Sequence, residues 1–129
     1  SDYLKEKYNI QYKSMEDVFA ESDIVTLHMK VTEENQRVIN EKLLSLMKKD
    51  ALLINVARSE LVNSEDLYKA LIFGNLAGAA MYDSEPPSER DYQLAKLDNV
   101  IATPHIGYYT QEANDNSIKM TVSSILASL

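Results

Sequence analysis

Residues that can do chemistry follow each of the four strongest strand-like segments of the sequence. In chain order they are His28 and Met29, then Arg58, then Asp83 and Glu85, and finally His105. In parallel sheets, ligands bind beyond the carboxyl ends of the strands. We therefore expect these side chains to converge on one edge of a sheet.

Arg58, Glu85 and His105 form a chemically consistent set. A guanidinium binds a carboxylate through two parallel hydrogen bonds, and a histidine gives or takes a proton near neutral pH. A carboxylate beside the histidine favours the imidazolium. Together they would bind a 2-keto acid and protonate its ketone oxygen while a hydride arrives. Taken singly, each residue is more simply explained as a solvated or structural side chain. The two histidines lack ligand spacing, so we predict no metal site.

The segments that must position these residues alternate between strands and helices. Apolar runs predict strands over 24–28, 51–57, 76–82 and 100–103, and an alternating run predicts a shorter strand over 10–13. Residues that favour helix N-caps precede the intervening helices: Ser14, Thr32, Asn40, Asn63 or Ser64, and Thr110. This order predicts an α/β fold with a doubly wound, mainly parallel sheet and right-handed crossovers.

Composition restricts the classes of partner. The 129 residues carry 13 basic and 20 acidic side chains, which give a formal net charge of -7 at pH 7. Phosphate backbones and anionic membrane surfaces repel such a chain, so we expect neither nucleic acid nor a membrane as a partner. No apolar run approaches the roughly 20 residues of a membrane span. The sequence has no cysteine, which fits a reducing compartment, and we expect a cytoplasmic location.

The motifs around the candidate residues resemble the D-isomer-specific 2-hydroxyacid dehydrogenase family. The similar segments follow in the family's order over 23–28, 39–40, 53–62, 76–80, 85–86 and 98–107. The most specific are Asn55-Val56-Ala57-Arg58 and Thr103-Pro104-His105-Ile106-Gly107. Residues 108–113 are similar to the D-lactate dehydrogenase-like branch. The resemblance covers nearly the whole chain.

The resemblance implies a role for each candidate residue. Arg58 would bind the substrate carboxylate, and Glu85 would orient His105. His105 would be the general acid in ketone reduction and the base in the reverse direction. Five residues would border the cofactor NAD: His28, Met29, Val56, Asp83 and Gly107. The implied activity is hydride transfer between NAD(H) and a 2-keto or D-2-hydroxy acid.

The sequence also departs from the family pattern. It has only three glycines, and the family's glycine-rich turn and first two nucleotide-binding strands would lie upstream of residue 1. The resemblance thus implies that residues 1–129 are the C-terminal portion of a Rossmann-like NAD-binding domain, without the substrate domain. The loop before Glu85 is two residues shorter than in the family. Ser59 replaces a glycine, and Met29-Lys30 stands where the family usually has a proline.

These departures carry further expectations. We expect little turnover from these 129 residues alone, because the pyrophosphate site is missing. Exposed sheet edges would favour association with another copy, as a homo-oligomer. Two other interpretations stay open, a non-catalytic dehydrogenase-like module that binds a nucleotide or a protein, and an inactive truncated fragment. The joint presence of Arg58, Glu85 and His105 favours the enzyme.

Overall fold

A four-stranded parallel sheet forms the centre of the structure, a computed structural model that describes residues 2–82, 87–107 and 109–128. The strands are β1 (Ile24–Leu27), β2 (Leu52–Asn55), β3 (Gly78–Tyr82) and β4 (Val100–Thr103), paired in the order β1-β2-β3-β4. The helices are α1 (Asp2–Tyr8), α2 (Met15–Glu21), α3 (Glu41–Leu44), α4 (Ser64–Ile72), α5 (Glu89–Leu94) and α6 (Gln111–Ala127), with a 3₁₀ turn at Ser59–Leu61. The predicted α/β fold with a parallel sheet is confirmed.

One face of the sheet, called here the covered face, carries the core. Its buried strand residues are Val25, Leu27, Leu53, Ala79 and Met81. Helices α2 to α5 pack into the same core through Phe19, Leu43, Leu44, Leu67, Leu71 and Leu94. Period-two alternation along each strand directs these side chains to one side. Burial of this apolar surface is the main favourable contribution to folding.

The opposite face, called here the open face, has no comparable cover within the described residues. Ile24, Leu52 and Ile101 are 57%, 39% and 68% exposed on it. Neither α1 nor α6 buries a described side chain. The apolar residues Ile118, Val122 and Ile125 of α6 are exposed. None of the described helices is both long and apolar enough to cross a membrane.

Two of the predicted elements are wrong. Residues 10–13 form no strand, because the Ile10 amide donates to the Lys5 carbonyl at 3.2 Å while Asn9 adopts a φ of 52°. This is a Schellman-type cap, which uses the amide that a sheet would need. The segment after Thr32 is a series of turns rather than a helix. Asn35 Oδ1 accepts from the Thr32 amide at 2.7 Å as it would at a helix start, but Arg37 adopts a φ of 54°, a left-handed conformation that a helix cannot contain.

The other predicted helix starts are confirmed. The side chains of Ser14, Asn40, Asn63 and Thr110 each accept a hydrogen bond from a backbone amide in the first turn of α2, α3, α4 and α6. Each bond satisfies an amide that has no partner within the helix. Each cap marks the first residue of a helix, and so sets the length of the loop between that helix and the segment before it.

Candidate active site

The turn after β2 carries Arg58 and is held by a buried asparagine. Asn55, the last residue of β2, is 3% exposed. Its Nδ2 donates to the Arg58 carbonyl oxygen at 2.7 Å, and its Oδ1 accepts from the Ala57 amide at 3.0 Å. A buried amide that is satisfied on both sides fixes the geometry around it. The backbone of Arg58 is therefore anchored from the protein interior, whereas its side chain is exposed.

The turn after β4 carries His105. Pro104 has no amide hydrogen and cannot continue the pairing of β4. The Ile106 amide donates to the Pro104 carbonyl at 2.8 Å, and the Tyr109 amide donates to the Ile106 carbonyl at 2.9 Å. The first of these bonds closes a three-residue turn with His105 at its centre. The His105 side chain is exposed beyond the end of the strand.

The register of the sheet places Arg58 and His105 at the same level. Asn55 is paired with Met81, and Met81 is paired with Ala102. Arg58 lies three residues beyond Asn55, and His105 lies three residues beyond Ala102. Adjacent strands are about 4.8 Å apart, so the two segments leave the sheet roughly 10 Å apart. Side chains at that spacing can contact one small ligand from two sides.

Arg58 and His105 line one cavity of about 470 Å³, called here the first cavity. Gly107 and Met81 line it too, and much of the remaining wall is apolar and lies on or beside the open face: Ile54, Val56, Ala80, Ile101 and Ile106. This volume is in the usual range for small-molecule sites. The cavity combines a guanidinium, an imidazole and an apolar surface that a planar ring can cover.

A second cavity of about 450 Å³ adjoins the first, because Val56 and Arg58 line both. His28 and Met29, which follow β1, also line it. His28 is positioned by Thr26, whose Oγ1 lies 3.0 Å from the imidazole Nε2. The described members of the predicted site are thus brought together around two adjoining cavities at the carboxyl edge of the sheet: His28, Met29, Val56, Arg58, His105 and Gly107.

Asp83 and Glu85 lie outside the described residues, so their predicted places beside the cofactor and His105 stay predictions. The elements on either side of them are defined. Strand β3 ends at Tyr82, paired with Thr103 of β4, and Ser88 caps the start of α5. Strand β3, which precedes Asp83, lies between β2 and β4, the strands that lead to Arg58 and His105.

Asn55 belongs to a motif that resembles the family, but the resemblance gave it no role, and the structure shows that it holds the turn of Arg58. The signal was present, since Asn55 is the one polar residue in an apolar run from Ala51 to Ala57. Buried polar groups need hydrogen-bond partners. At the last position of a strand, the nearest such partners are the backbone groups of the following turn. A polar residue there indicates a turn that is held in a fixed shape.

The chain belongs to the dehydrogenase family that its motifs resemble. Residues 2–107 match the family described as "D-isomer specific 2-hydroxyacid dehydrogenase, NAD binding domain". The recognition from the sequence, the Rossmann-like fold class and the assignment of NAD as the family's cofactor are thereby confirmed.

Related proteins and solved structures agree with this family. Glyoxylate reductase from Pyrococcus horikoshii is 39% identical over 124 residues, which are 96% of this chain and 37% of that protein. An aromatic 2-oxoacid reductase from Clostridium sporogenes is 36% identical, over 94% of this chain and 41% of that protein. D-lactate dehydrogenase from Aquifex aeolicus, solved with NAD and lactic acid, is 34% identical with a TM-score of 0.85, over 98% of this chain and 43% of that chain. The chain spans about two fifths of the length of these relatives.

Proposed function

We propose that residues 1–129 act as part of the nucleotide-binding domain of an oxidoreductase that interconverts a 2-keto acid and a D-2-hydroxy acid with NAD(H). One observation carries the proposal. Arg58 and His105 follow the same row of the sheet and line one cavity. When bound, NADH supplies the hydride, and the protein supplies orientation and electrostatics.

Arg58 binds the substrate carboxylate in this proposal. The planar guanidinium matches a carboxylate through two parallel hydrogen bonds, which fix orientation as well as position. The Arg58 Nη1 donates to the Ala57 carbonyl at 2.7 Å, and Asn55 holds the Arg58 backbone. These bonds limit the movement of the guanidinium, so the ketone of a bound substrate is held in one place relative to His105.

His105 moves the proton. It donates a proton to the ketone oxygen as the hydride reaches the carbon, and it accepts the same proton in the reverse direction. Glu85 is proposed to orient the imidazole and to favour its protonated form. Because the substrate lies between Arg58 and His105, one side chain binds its charged end while the other serves the reacting oxygen.

The described residues fit a nicotinamide ring. Val56 and Ile106 are both largely exposed and give the first cavity apolar surface. A Cβ built on Gly107 would have no atom within 4 Å, which leaves room for close approach by a ligand. His28 and Met29 border the adjoining cavity, and Asp83 is proposed to contact the cofactor as well. The cofactor would therefore lie along the carboxyl ends of β1, β2 and β4.

The test uses the natural protein that contains these residues, with NADH and either glyoxylate or an aromatic 2-keto acid. His105→Ala should lower kcat roughly 10²- to 10⁴-fold, the usual contribution of a general acid, and should retain NADH binding. Arg58→Met should raise KM for the keto acid. Arg37→Met is a control, because Arg37 lines neither cavity. NADH binding without turnover in the wild-type protein would contradict the proposal and would favour a non-catalytic binding module.

We also propose that the protein self-associates and acts in the cytoplasm. Strands β1 and β4 are the edges of the described sheet, and the open face exposes Ile24, Leu52 and Ile101. Unpaired edges and contiguous apolar surface favour association. Sedimentation equilibrium should give at least a dimer at micromolar concentration, and a strict monomer would contradict self-association. Recovery of the protein outside the cytoplasmic fraction of its host would contradict the location.

A further inference from the structure

Arg37 adopts a backbone conformation that arginine rarely takes. Its φ of 54° lies in the left-handed region, where the Cβ atom of any residue other than glycine is crowded by the backbone. Among the non-glycine residues that the structure describes, Asn9 is the one other case, with a φ of 52°. Such conformations persist where the surrounding structure imposes them, and they are concentrated at sites of function. The hydrogen bonds around Arg37 therefore indicate what its conformation serves.

The left-handed turn at Arg37 brings residues 37–39, called here the brace, alongside residues 60–63. Backbone hydrogen bonds of 2.7, 3.0 and 2.8 Å join the two segments, in which the Arg37 amide donates to Glu60, the Ile39 amide to Leu61, and the Asn63 amide to Ile39. Ile39 also forms a parallel β-bridge with Val62. The brace and residues 60–63 are therefore a short parallel pair that lies outside the four strands of the main sheet.

The segment that the brace holds is the turn that carries Arg58. Ser59–Leu61 form a 3₁₀ turn directly after Arg58, and the shortest bond of the brace reaches Glu60, two residues beyond Arg58. From the other side, Asn55 Nδ2 donates to the Arg58 carbonyl. Arg58 thus lies between two backbone anchors, one at the end of β2 and one at the brace. Because a guanidinium binds a carboxylate through both oxygens only in a fixed orientation, movement at either anchor would misalign it.

Packing in the core does not account for the bond at Arg37. Ile39 and Leu61 are fully buried, and Val62 is buried beside them, so apolar contacts hold that part of the brace whatever residue precedes it. Arg37 and Glu60 are instead exposed, and the bond between their backbones buries no apolar side chain. What this bond fixes is the part of the turn that is nearest to Arg58.

We propose that Arg37 is a positioning residue for substrate binding, because its left-handed backbone holds the turn of Arg58 in the shape that binds the carboxylate of a 2-keto acid. This inference rests on the proposed function for the role of Arg58. The Arg37 amide reaches the turn, and the guanidinium takes no part, so any residue that adopts the same φ can replace arginine. A β-branched residue at this φ is a severe outlier and would weaken the brace.

The kinetic consequence of a weakened brace is specific. In the proposed function, Arg58 binds the carboxylate in the ground state and in the transition state alike. An interaction that is equal in both states lowers KM without raising kcat. Loss of the brace should therefore raise KM for the keto acid, with kcat and the affinity for NADH nearly unchanged. A general loss of folded protein would not produce this division between KM and kcat.

The experiment compares variants of the natural protein by the rate at which NADH reduces a 2-keto acid. Arg37→Val disfavours the left-handed conformation, Arg37→Gly permits it without strain, and Arg37→Met removes the guanidinium alone. Asn9→Val is the matched control, because Asn9 has nearly the same φ but follows α1 and does not brace the turn of Arg58. Arg37→Val is also combined with Arg58→Met, to test whether Arg37 acts through Arg58.

Arg37→Val should raise KM for the keto acid roughly three- to tenfold, which corresponds to the loss of about one hydrogen bond. The value of kcat, its pH dependence and the dissociation constant for NADH should stay as in the wild type. Arg37→Gly, Arg37→Met and Asn9→Val should retain the wild-type KM, and Arg37→Val should add nothing to Arg58→Met. An unchanged KM in Arg37→Val, or an equal rise in Asn9→Val, would overturn the inference.

Hydrogen exchange tests the same inference in the wild-type protein, and so decides it even if Arg37→Val does not fold. Coupling between two sites is reciprocal, so a keto acid bound by Arg58 should slow exchange of the Arg37 amide by a similar factor, roughly three- to tenfold. NAD⁺ is present in place of NADH to prevent turnover. The Ile10 amide, which donates to the Lys5 carbonyl at the end of α1, should not respond.

An Arg37 amide whose exchange does not change with the keto acid would overturn the inference. If the wild-type protein turns over keto acids while Arg37→Val keeps its KM, only this inference fails, and the proposed function stands. Absence of turnover in the wild-type protein would instead overturn the proposed function, and this inference with it.

Discussion

The covered face of the sheet and its carboxyl edge differ in burial and polarity. The covered face consists of buried apolar side chains from β1 to β3 with helices α2 to α5 against them. The carboxyl edge carries His28, Arg58 and His105, all exposed and placed by turns rather than by packing. The buried apolar core therefore lies on one side of the sheet, and the residues of the candidate site lie at its carboxyl end.

Asn55 stands at the junction of these two regions. It is the last residue of β2 and the one buried polar residue of the described core. Its backbone belongs to the sheet, and its side chain shapes the turn that carries Arg58. The position of the exposed Arg58 thus depends on a buried neighbour. Substitutions in each region should show whether a residue affects the free energy of unfolding, ligand binding and turnover, or both.

The largest effect is expected on the covered face. Leu53→Ala should lower the free energy of unfolding by about 2–5 kcal/mol, because Leu53 is 1% exposed and its loss leaves a cavity. Ile101→Ala on the open face should cost about 0.5 kcal/mol or less, because Ile101 is 68% exposed. Urea unfolding of the 129-residue chain, at a concentration where sedimentation shows a monomer, measures both. Equal costs in the monomer would show that the chain itself covers the open face, and the contrast between the two faces would be wrong.

Asn55 should be the residue whose loss affects both regions. Asn55→Asp keeps the acceptor for the Ala57 amide and removes the donor to the Arg58 carbonyl. We expect a loss of about 1–3 kcal/mol in stability and, in the natural protein, a higher KM for the keto acid with NADH affinity retained. Asn63→Asp is the matched control, because Asn63 caps α4 and aspartate caps equally well. A purely structural role for Asn55 would lower stability and leave KM unchanged.

Gly78 and Gly107 allow a smaller comparison between an effect on stability and an effect on NADH binding. A Cβ on Gly78 would lie 2.8 Å from the Asn99 carbonyl oxygen, so Gly78→Ala should cost roughly 1–3 kcal/mol through forced strand displacement. Gly107→Ala has open space and should leave stability unchanged while weakening NADH binding. Thermal unfolding and NADH titration of both variants check this. Normal NADH affinity in Gly107→Ala would argue against close approach of the cofactor at that turn.

The smallest effect concerns a surface contact between α4 and α5. Desolvation raises the pKa of Glu65, but the hydrogen bond from Lys69 and the charges of Arg90 and Lys69 outweigh it, and the pKa lies below its ordinary value of 4.5. A lowered folded-state pKa stabilises the protein above the unfolded value, and that stabilisation is lost as the pH falls through the folded value. The difference in urea midpoint between wild type and Glu65→Gln should therefore be largest near pH 6 and should vanish in acid. A constant difference would contradict this linkage.

Much of the fold could be predicted because it follows from local patterns. β-Branched and apolar runs located all four strands, and side chains that accept from backbone amides located four helix starts. The predicted strand over 10–13 was wrong because a backbone amide there can donate either to a neighbouring strand or to the end of the preceding helix. Residues 10–13 alternate as a strand would, but the Ile10 amide closes α1 instead. Side-chain patterns carry no information about that choice.

The positions of the candidate site residues could be predicted where they directly follow a strand that the sequence pattern locates. Arg58 and His105 were placed correctly at one edge because each follows a clear strand. The dependence of Arg58 on Asn55 required the three-dimensional turn. The tightest approach to Gly78 is from the Asn99 backbone that leads into β4, a contact that the strand pattern over 76–82 does not indicate. Contacts between distant segments of the chain cannot be obtained from composition alone.

The central claim is that hydride passes from NADH to a 2-keto acid held between Arg58 and His105. The most direct test incubates the natural protein with a 2-keto acid and NADH deuterated at both C4 positions. The product is then separated by chiral chromatography, and its deuterium content is measured by mass spectrometry. The account predicts a D-2-hydroxy acid with deuterium at C2, and loss of that product in His105→Ala while NADH still binds. An L-product, a product without deuterium, or full activity in His105→Ala would contradict it.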